Sequence, residues 1–441
     1  MMKKVTGATS LTSLKGGVLD LFRLSLYRNA IFLMLNSAMY ALTGFFFWIV
    51  AARLYPAAVV GIASSVLAAI GLLSMLSTLG LDYGLLRFLP AAGDKAGEMI
   101  NTCFTIGGGI TIIAALVYMA GLRIWSPALI PIRDNLLYFG AFVIFAFANT
   151  MQTFNSQCFI AARQSRFAMI QGWIIALLRF IPLVLLAKAY QNFGIVSAWG
   201  LCLILSVIIA LTFFQPIAYH GHRPTPSIKK EVIGRMLRFS FANYVGNILW
   251  AIPSLTLPIL VVNRMGAEQN AYYYIGWAIA GMVFMIPTSI SLAMMAEASY
   301  AEDRLVIEMK RSLKLIFLLL IPIIIALVLL GRTFLQFFGK AYAGNALQLL
   351  WILIVAAIPL SLNYVYFTMR RVEKQMRSVI LLSAVIAGGT LIGSYFLLPE
   401  MGIKGAGIAF LCSQGAVALY TLPYLWRRLF RKNVEGPASV H

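Results

Sequence analysis

Residues 220–238, HGHRPTPSIKKEVIGRMLR, form the longest strongly polar stretch inside a chain that is otherwise rich in apolar residues. On either side of it, apolar runs alternate with short polar turns, and each run has the roughly 20 residues that a bilayer-spanning helix needs. The pattern therefore predicts two helical bundles, residues 30–219 and 239–425, joined by a polar linker at 220–238.

The composition of the chain excludes a soluble globular protein. Hydrophobic residues make up 61% of the 441 residues, charged residues only 11%, and the mean hydropathy is +0.87. Soluble domains are about half apolar and about one quarter charged. Alternating strand patterns are absent from the sequence, and a lipid bilayer admits only helices or closed barrels. We therefore expect an all-α polytopic membrane protein.

The apolar runs predict about twelve transmembrane helices, six on each side of the linker. The predicted spans are residues 30–52, 57–80, 100–121, 136–160, 170–188, 194–219, 239–263, 271–296, 313–335, 345–368, 377–397 and 403–425.

The basic residues are distributed unequally between the two sides of these spans. With the N-terminus in the cytoplasm, 26 of the 35 Lys and Arg residues fall on the cytoplasmic side and eight on the other, while Arg179 lies inside a span. By the positive-inside rule, the arm 1–29, the linker and the tail 426–441 are all expected on the cytoplasmic side of the membrane. The membrane expected for this protein is the cell (inner) membrane. The same distribution explains the net charge of +21, so no nucleic-acid partner is expected, and the basic tail should contact membrane lipids.

The two bundles repeat each other in sequence. A shift of 211 positions places Asn36 on Asn247 and Arg53 on Arg264. Because each bundle has six spans, both have the same orientation, and parallel repeats of this kind enclose a cavity near the midplane that rocking exposes to alternate sides. The repeat predicts a transporter in which Asn36 and Asn247 oppose each other, either as helix-packing groups or as cargo ligands.

Polar residues within the spans are candidate functional groups, because an ionisable residue costs about 2.5 to 3.5 kcal/mol there. Arg179 lies about nine residues from either end of the fifth span, so we expect it to face a polar cavity or to pair with a carbonyl or with Asp82. In the fourth span, Asn149 and Gln152 lie on one helical face, which suits either hydroxyl-rich cargo or interhelical hydrogen bonds.

Acidic residues are scarce, with 14 in the whole chain. Only Asp82 and Glu297 approach membrane depth, so they are the candidates for carrying a coupling proton. A cavity with few acids and several bases should be cationic and should prefer an anionic cargo. The bases inside it or near its mouths are Arg179, Arg53, Arg87 and Arg264. His220 and His222 have no thiol or carboxylate at ligand spacing, so neither a metal nor a cofactor is expected.

The twelve-span duplicated plan, with GLDYGLLRFLP (80–90) ending the second span and AMMAEA (293–298) ending the eighth, resembles one transporter family. This family is the polysaccharide transporter branch of the multidrug/oligosaccharidyl-lipid/polysaccharide flippase (MOP) superfamily, and the resemblance covers about residues 25–430. It implies a flippase that moves an oligosaccharide linked to polyprenyl phosphate or pyrophosphate to the outer leaflet, for surface polysaccharide such as O-antigen or exopolysaccharide.

The resemblance also implies a cationic lumen, polysaccharide polymerase or assembly proteins as partners, and roles for particular residues. Arg179 would hold the headgroup, with Arg87 at the cytoplasmic mouth, since planar guanidinium groups match diphosphate well. The remaining candidate cargo ligands are Asn36, Asn247, Asn149, Gln152, Arg53 and Arg264.

Other functions fit the sequence less well. A multidrug or organic cation exporter of the same superfamily would couple through membrane-embedded acids, which the first and seventh spans lack. A peptidoglycan-precursor flippase also fits less well, because those flippases look like fourteen-span proteins and this chain has about twelve predicted spans. A membrane glycosyltransferase or ligase needs acidic groups and a sizeable outer loop, whereas the outer loops here are at most about fifteen residues long, so catalysis is not expected. A scaffold would not need embedded charge.

Overall fold

A computed structural model describes residues 25–189, 192–300 and 305–430. The N-terminal arm up to residue 24, Arg304 and the tail beyond residue 430 lie outside the described residues. Within the described ranges the chain is helical and contains no β-strand. Twelve segments of these ranges are long and apolar enough to cross a membrane, which confirms the predicted fold class.

The spans lie on long helices that begin and end close to the predicted positions. In the first half of the chain these helices are Ser25–Leu54, Ala57–Ser77, Ala96–Ala120, Leu136–Ala161, Ser165–Leu178 continued by Phe180–Ala189, and Gly194–Ile209. In the second half they are Lys230–Met265, Ala267–Tyr300, Leu305–Gln336, Leu347–Val372, Met376–Met401 and Ile403–Phe430. Short helices lie between them at Leu81–Phe88, Leu122–Trp125, Ile130–Asp134, Gln215–Ala218 and Lys340–Asn345.

Large apolar side chains cover the outside of the bundle. Leu329 is 74% exposed, Leu419 71% and Leu185 70%, and each lies within a candidate span. In water such exposure would be costly, but hydrocarbon chains solvate leucine as well as a protein core does. The exposed apolar surface is therefore suited to face lipid, and we expect the functional polar side chains to lie inside the bundle.

The second span is the seam along which the two halves of the chain pack. Gly61 lies so close to the carbonyl of Ala267 that any side chain at position 61 would collide with it. The amide of Asn270 donates to the Gly61 carbonyl at 2.7 Å and to the Ser65 hydroxyl at 2.8 Å. Further along the same span, the Tyr244 hydroxyl donates to the Leu76 carbonyl at 2.7 Å. The seam therefore extends over the full length of the span.

The two ends of the bundle differ in how the first helix contacts the second half. We call them the Arg53 end and, opposite to it, the Asp82 end. The rings of Trp48 and Tyr274 lie 4.6 Å apart, and those of Phe45 and Phe338 lie 5.5 Å apart, both toward the Arg53 end. Arg53 of the same helix donates to the Phe337 and Gln336 carbonyls of the second half at this end as well. The halves are thus closed together at the Arg53 end.

Residues 223–229 run as an extended segment along the third span, and we call this segment the linker strap. Asn101 accepts a hydrogen bond from the backbone N–H of Thr225 at 3.0 Å, and Thr105 accepts one from Ser227 at 3.0 Å. Lys229 pairs with Glu98 at 3.5 Å. Because alternate backbone N–H groups of an extended chain point the same way, a single helix face satisfies them. The strap fixes the linker to the first half up to Lys229.

The seventh helix begins at Lys230, inside the predicted linker rather than at its end. Glu231 lies in its first turn, where a negative charge is favourable next to the helix dipole. The residues that follow carry Met236 against Gly84 of the first half. Residues 230–238 are polar because they form the end of a helix that emerges from the membrane, and not because they belong to the linker.

Candidate functional site

Arg179 interrupts the fifth span, where one helix ends at Leu178 and the next begins at Phe180. Its Nη2 atom donates to the Thr43 hydroxyl at 3.3 Å, and its guanidinium lies 4.5 Å from the ring centre of Phe47. Both partners belong to the first helix. A cation over an aromatic face is attracted by the ring quadrupole, so Phe47 partly replaces the water that Arg179 has lost.

Arg179 is only 6% exposed, and its charge has no acidic partner among the described residues. Its Nε atom is buried without a hydrogen-bond acceptor. It interacts electrostatically with the hydroxyls of Tyr40, from the first half, and Tyr274, from the second. Among the residues that the structure describes, neither a main-chain carbonyl nor Asp82 pairs with the Arg179 side chain. A buried guanidinium with unused donors at the meeting of the two halves can bind an anion.

The three other predicted bases have different surroundings. Arg53 crosses between the halves at the Arg53 end, where Nε donates to the Phe337 carbonyl at 2.8 Å and Nη2 to the Gln336 carbonyl at 2.6 Å. The Arg264 guanidinium lies 3.7 Å from the ring centre of Tyr395, within the second half. The structure does not bring these two close to Arg179 through any contact of the described residues.

Arg87 is exposed and lines a cavity of about 590 Å³ at the Asp82 end, between the helix Leu81–Phe88 and the start of the seventh helix. Lys95 and Glu231 also line this cavity, while Phe88 and Met236 supply apolar surface. The cavity therefore combines two bases, one acid and apolar walls.

The two aligned asparagines have different neighbours. Asn36 lies against Gly172 of the fifth span, inside the first half, and its Oδ1 has no hydrogen-bond donor among the described residues. Asn247 donates to the Tyr83 hydroxyl at 2.5 Å and so links the seventh helix to the first half. Only one of the pair thus makes a hydrogen bond across the two halves.

The polar residues of the fourth span lie at different depths in the bundle. Asn149 and Gln152 are half-buried, whereas Asn155 is fully buried, and no side-chain polar atom of Asn155 finds a partner among the described residues. Gln171 of the fifth span is equally buried and equally without side-chain partners. The rings of Phe159 and Phe167, four positions from Asn155 and Gln171 respectively, lie 5.7 Å apart.

Because the fourth and fifth spans are antiparallel neighbours, that ring contact places Asn155 and Gln171 at one level, about a turn deeper in the first half. Sequence reasoning missed Gln171. Its amide is a single polar residue in an apolar run, and only its depth would have indicated it.

Asp82 is the buried member of the two predicted coupling carboxylates. It lies in the first turn of the short helix Leu81–Phe88, is 8% exposed, and has an Oδ1 atom without a partner among the described residues. Because burial disfavours the charged form, the pKa of this carboxyl is raised above its usual range. Glu297 is exposed at the end of the eighth helix.

Residues 26–299, more than half of the chain, match the model of a family described as polysaccharide biosynthesis protein. The chain belongs to this polysaccharide biosynthesis protein family. No curated protein sequence matches it.

Several solved structures share the fold of this chain. The lipid II flippase MurJ, in an inward closed conformation, aligns with a TM-score of 0.73 at 11% identity, over 90% of this chain and 87% of MurJ. An inward-facing multidrug resistance MATE family transporter of the MOP superfamily aligns with a TM-score of 0.68 at 13% identity, over 90% and 96%. A MOP superfamily transporter from Pyrococcus furiosus aligns with a TM-score of 0.61 at 14% identity, over 92% and 95%. The chain therefore has the fold that these flippases and transporters share.

Proposed function

We propose that the protein is a flippase that moves an oligosaccharide linked to polyprenyl phosphate or pyrophosphate from the inner to the outer leaflet, for surface polysaccharide biosynthesis. The membrane is the cell (inner) membrane, and the Asp82 end is cytoplasmic, because the basic residues are concentrated on that side. Both termini are then cytoplasmic. A polysaccharide polymerase or assembly proteins would take the product.

The observation that carries this proposal is the environment of Arg179. A guanidinium that is 6% exposed, has no acidic partner among the described residues and lies beside groups of both halves needs an anion. Phosphate or pyrophosphate supplies that charge and matches the two-pronged geometry of guanidinium donors. An organic cation would be repelled from the same position. The family and the name of its structural relative MurJ, a lipid II flippase, support a lipid-linked cargo.

The closed Arg53 end and the continuous seam of the second span support alternating access. In the state described, the cargo enters from the Asp82 end and its lipid tail stays in the bilayer. Rocking of the halves then opens the Arg53 end, which breaks the two hydrogen bonds of Arg53 and makes its guanidinium available to the departing headgroup. We assign Arg87 to the cytoplasmic mouth, and Asp82 as the carrier of a coupling proton.

The remaining candidates are proposed to contact the sugars or to orient the residues that do. Asn247 and Gln152 present amide groups that suit hydroxyl-rich cargo. The other members of this set are Asn36, Asn149 and Arg264.

The test is a reconstituted assay in which a fluorescent lipid-linked oligosaccharide crosses from one leaflet of a proteoliposome to the other. The wild-type chain, Arg179→Gln and Lys188→Gln are compared, because Lys188 is an exposed base at the end of the same span. We expect Arg179→Gln to slow transport at least tenfold, the effect of one lost charge-assisted hydrogen bond, and Lys188→Gln to leave it unchanged.

Equal transport by Arg179→Gln and the wild-type chain would refute the assignment of Arg179. Efflux of organic cations by the wild-type protein, without movement of any lipid-linked sugar, would instead assign the protein to the multidrug branch.

A further inference from the structure

Two adjacent arginines at the end of the tenth span have opposite surroundings. Arg370 forms an ion pair with Glu373 at 3.1 Å, and its Nε atom donates a hydrogen bond to the Tyr366 hydroxyl at 2.9 Å. Arg371 forms no ion pair with any carboxylate of the described residues, and its Nε is buried without an acceptor. The charge of Arg370 is therefore compensated within the second half, whereas that of Arg371 is not.

Arg371 belongs to a cluster with members in both halves of the chain. It lies two turns beyond Tyr364 on the tenth helix, and Tyr364 binds Trp250, which is one turn from Asn247, the partner of Tyr83 on the short helix Leu81–Phe88. The hydroxyls of Tyr83 and Tyr364 are within electrostatic range of the Arg371 guanidinium. The cluster thus joins a cation of one half to a hydroxyl of the other.

The hydroxyl oxygen of Tyr83 is already used as an acceptor. It receives the amide N–H of Asn247 at 2.5 Å, and the Tyr364 oxygen likewise receives the indole N–H of Trp250 at 2.9 Å. A phenol that accepts one hydrogen bond still has its own proton to donate. Arg371 has donors only. The cluster is therefore rich in donors, and a negatively charged acceptor is the group it needs.

The cluster is also only partly buried. Tyr83, Asn247, Tyr364 and Arg371 are all half-buried, so none is sealed inside the protein as Arg179 is. They lie at the Asp82 end, opposite to the end at which Phe45, Trp48 and Arg53 of the first helix contact the second half. An anion can reach the cluster from that side.

We propose that Arg371 and Tyr83 form a second phosphate site, which takes the phosphate or pyrophosphate of the lipid-linked cargo before it reaches Arg179. This inference rests on the proposed function and extends it. The two donors lie on different halves, so an anion held by both draws the halves together at the Asp82 end. A ligand shifts a conformational equilibrium only as far as its affinities for the two states differ, and this site binds best when the two donors are close. Binding there starts the closure behind the cargo.

The first experiment measures anion affinity in the purified full-length chain in lipid nanodiscs, with inorganic pyrophosphate and farnesyl diphosphate as probes. The variants are Arg371→Gln, Tyr83→Phe and the control Arg377→Gln, which removes an exposed base at the same end. We expect Arg371→Gln to weaken pyrophosphate binding about tenfold, as for loss of one charged hydrogen-bond partner, Tyr83→Phe about threefold, and Arg377→Gln less than twofold.

Unchanged affinity in Arg371→Gln, or an equal loss in Arg377→Gln, would overturn the site. Farnesyl diphosphate should bind more tightly than inorganic pyrophosphate, and equal affinity would overturn its assignment to a lipid headgroup. If Arg371→Gln does not fold, Arg371→Lys keeps the charge but loses the two-pronged geometry, and the same weakening is expected in smaller measure, with Tyr83→Phe as the second test.

The second experiment measures the separation of the halves at the Asp82 end by spin labels placed on exposed positions of the two halves. Pyrophosphate should shorten this distance in the wild-type chain and not in Arg371→Gln, while Arg377→Gln should respond like the wild type. A distance that shortens equally in Arg371→Gln would overturn the bridging role.

The outcomes separate this inference from the proposed function. Transport that depends on Arg179, together with pyrophosphate binding that is insensitive to Arg371→Gln, leaves the flippase intact and overturns the second site. Binding that depends on Arg371, in a chain that moves no lipid-linked sugar, supports the anion site and overturns the flippase.

Discussion

Arg53 is expected to hold the Arg53 end closed, and Arg53→Met should loosen it. The methionine keeps the apolar stem of the side chain but removes the donors to the Gln336 and Phe337 carbonyls at 2.6 and 2.8 Å. These carbonyls end the ninth helix, where the helix dipole also favours a cation. Discounted for the exposure of Arg53, the two charge-assisted bonds contribute about 1–2 kcal/mol in total. Their loss should shift the equilibrium between closed and open about 5- to 30-fold.

Distances between two spin labels, measured by electron paramagnetic resonance, report this equilibrium directly. Spin labels at Leu54 and Lys340, both exposed at the Arg53 end, would be introduced in a chain whose exposed Cys412 is replaced by serine. Arg53→Met should increase the population with a long distance between the labels. The matched control is Arg332→Met, which removes an exposed base from the same end of the ninth helix.

A distance distribution that is the same in Arg53→Met and the wild-type chain would show that aromatic packing alone closes this end. A shift of equal size in Arg332→Met would point to a general effect of surface charge. Either result would contradict the latch role of Arg53.

Two further predictions concern stability. Since burial raises the pKa of Asp82, the folded protein takes up its proton first as the pH falls, so this residue costs stability above the raised pKa and less below it. Asp82→Asn should therefore melt at a higher temperature than the wild type at pH 8, with a difference that shrinks toward pH 4; a constant difference in scanning fluorimetry would contradict this. Asn270→Ala removes buried hydrogen bonds across the seam at 2.7 and 2.8 Å and should cost about 1–3 kcal/mol, several degrees of melting temperature, whereas the exposed Asn345→Ala should cost little.

The number, length and order of the spans could be predicted because the bilayer imposes one requirement on every span. Each crossing needs about 20 apolar residues, and each interruption, such as 220–238, is visible as polarity. The prediction erred where polarity has another cause. The seventh helix already begins at Lys230, since residues leaving the membrane become polar before the helix ends.

The candidate site could be predicted only in part. Arg179 was identifiable because its depth in a span is a property of its own sequence neighbourhood. The partners of a residue are not such a property. Asn36 and Asn247 align at a shift of 211, yet the first lies against Gly172 and the second binds Tyr83, because the packing of neighbouring helices decides which face each one meets.

The same limit applies to adjacent residues. Arg370 and Arg371 look alike as the basic end of a span. A helix turns by about 100° per residue, so Arg370 meets Glu373, whereas Arg371 has Tyr364 and, from the other half, Tyr83 within electrostatic range. The sequence of such a basic pair does not indicate which of the two residues lacks a counterion.

The linker strap makes a lever of the seventh helix. The extended segment is tied to the third span up to Lys229, so any rotation of the 36-residue helix relative to this segment would take place about that point. At 1.5 Å per residue this arm is about 54 Å long, so each degree of rotation at its root moves its far tip by about 0.9 Å. A swing of about 10° would displace the tip beside Arg264 by about 9 Å, close to the width of a helix with its side chains. In the proposed alternating access, small angular changes at the Asp82 end would thus produce displacements of several ångströms at the Arg53 end.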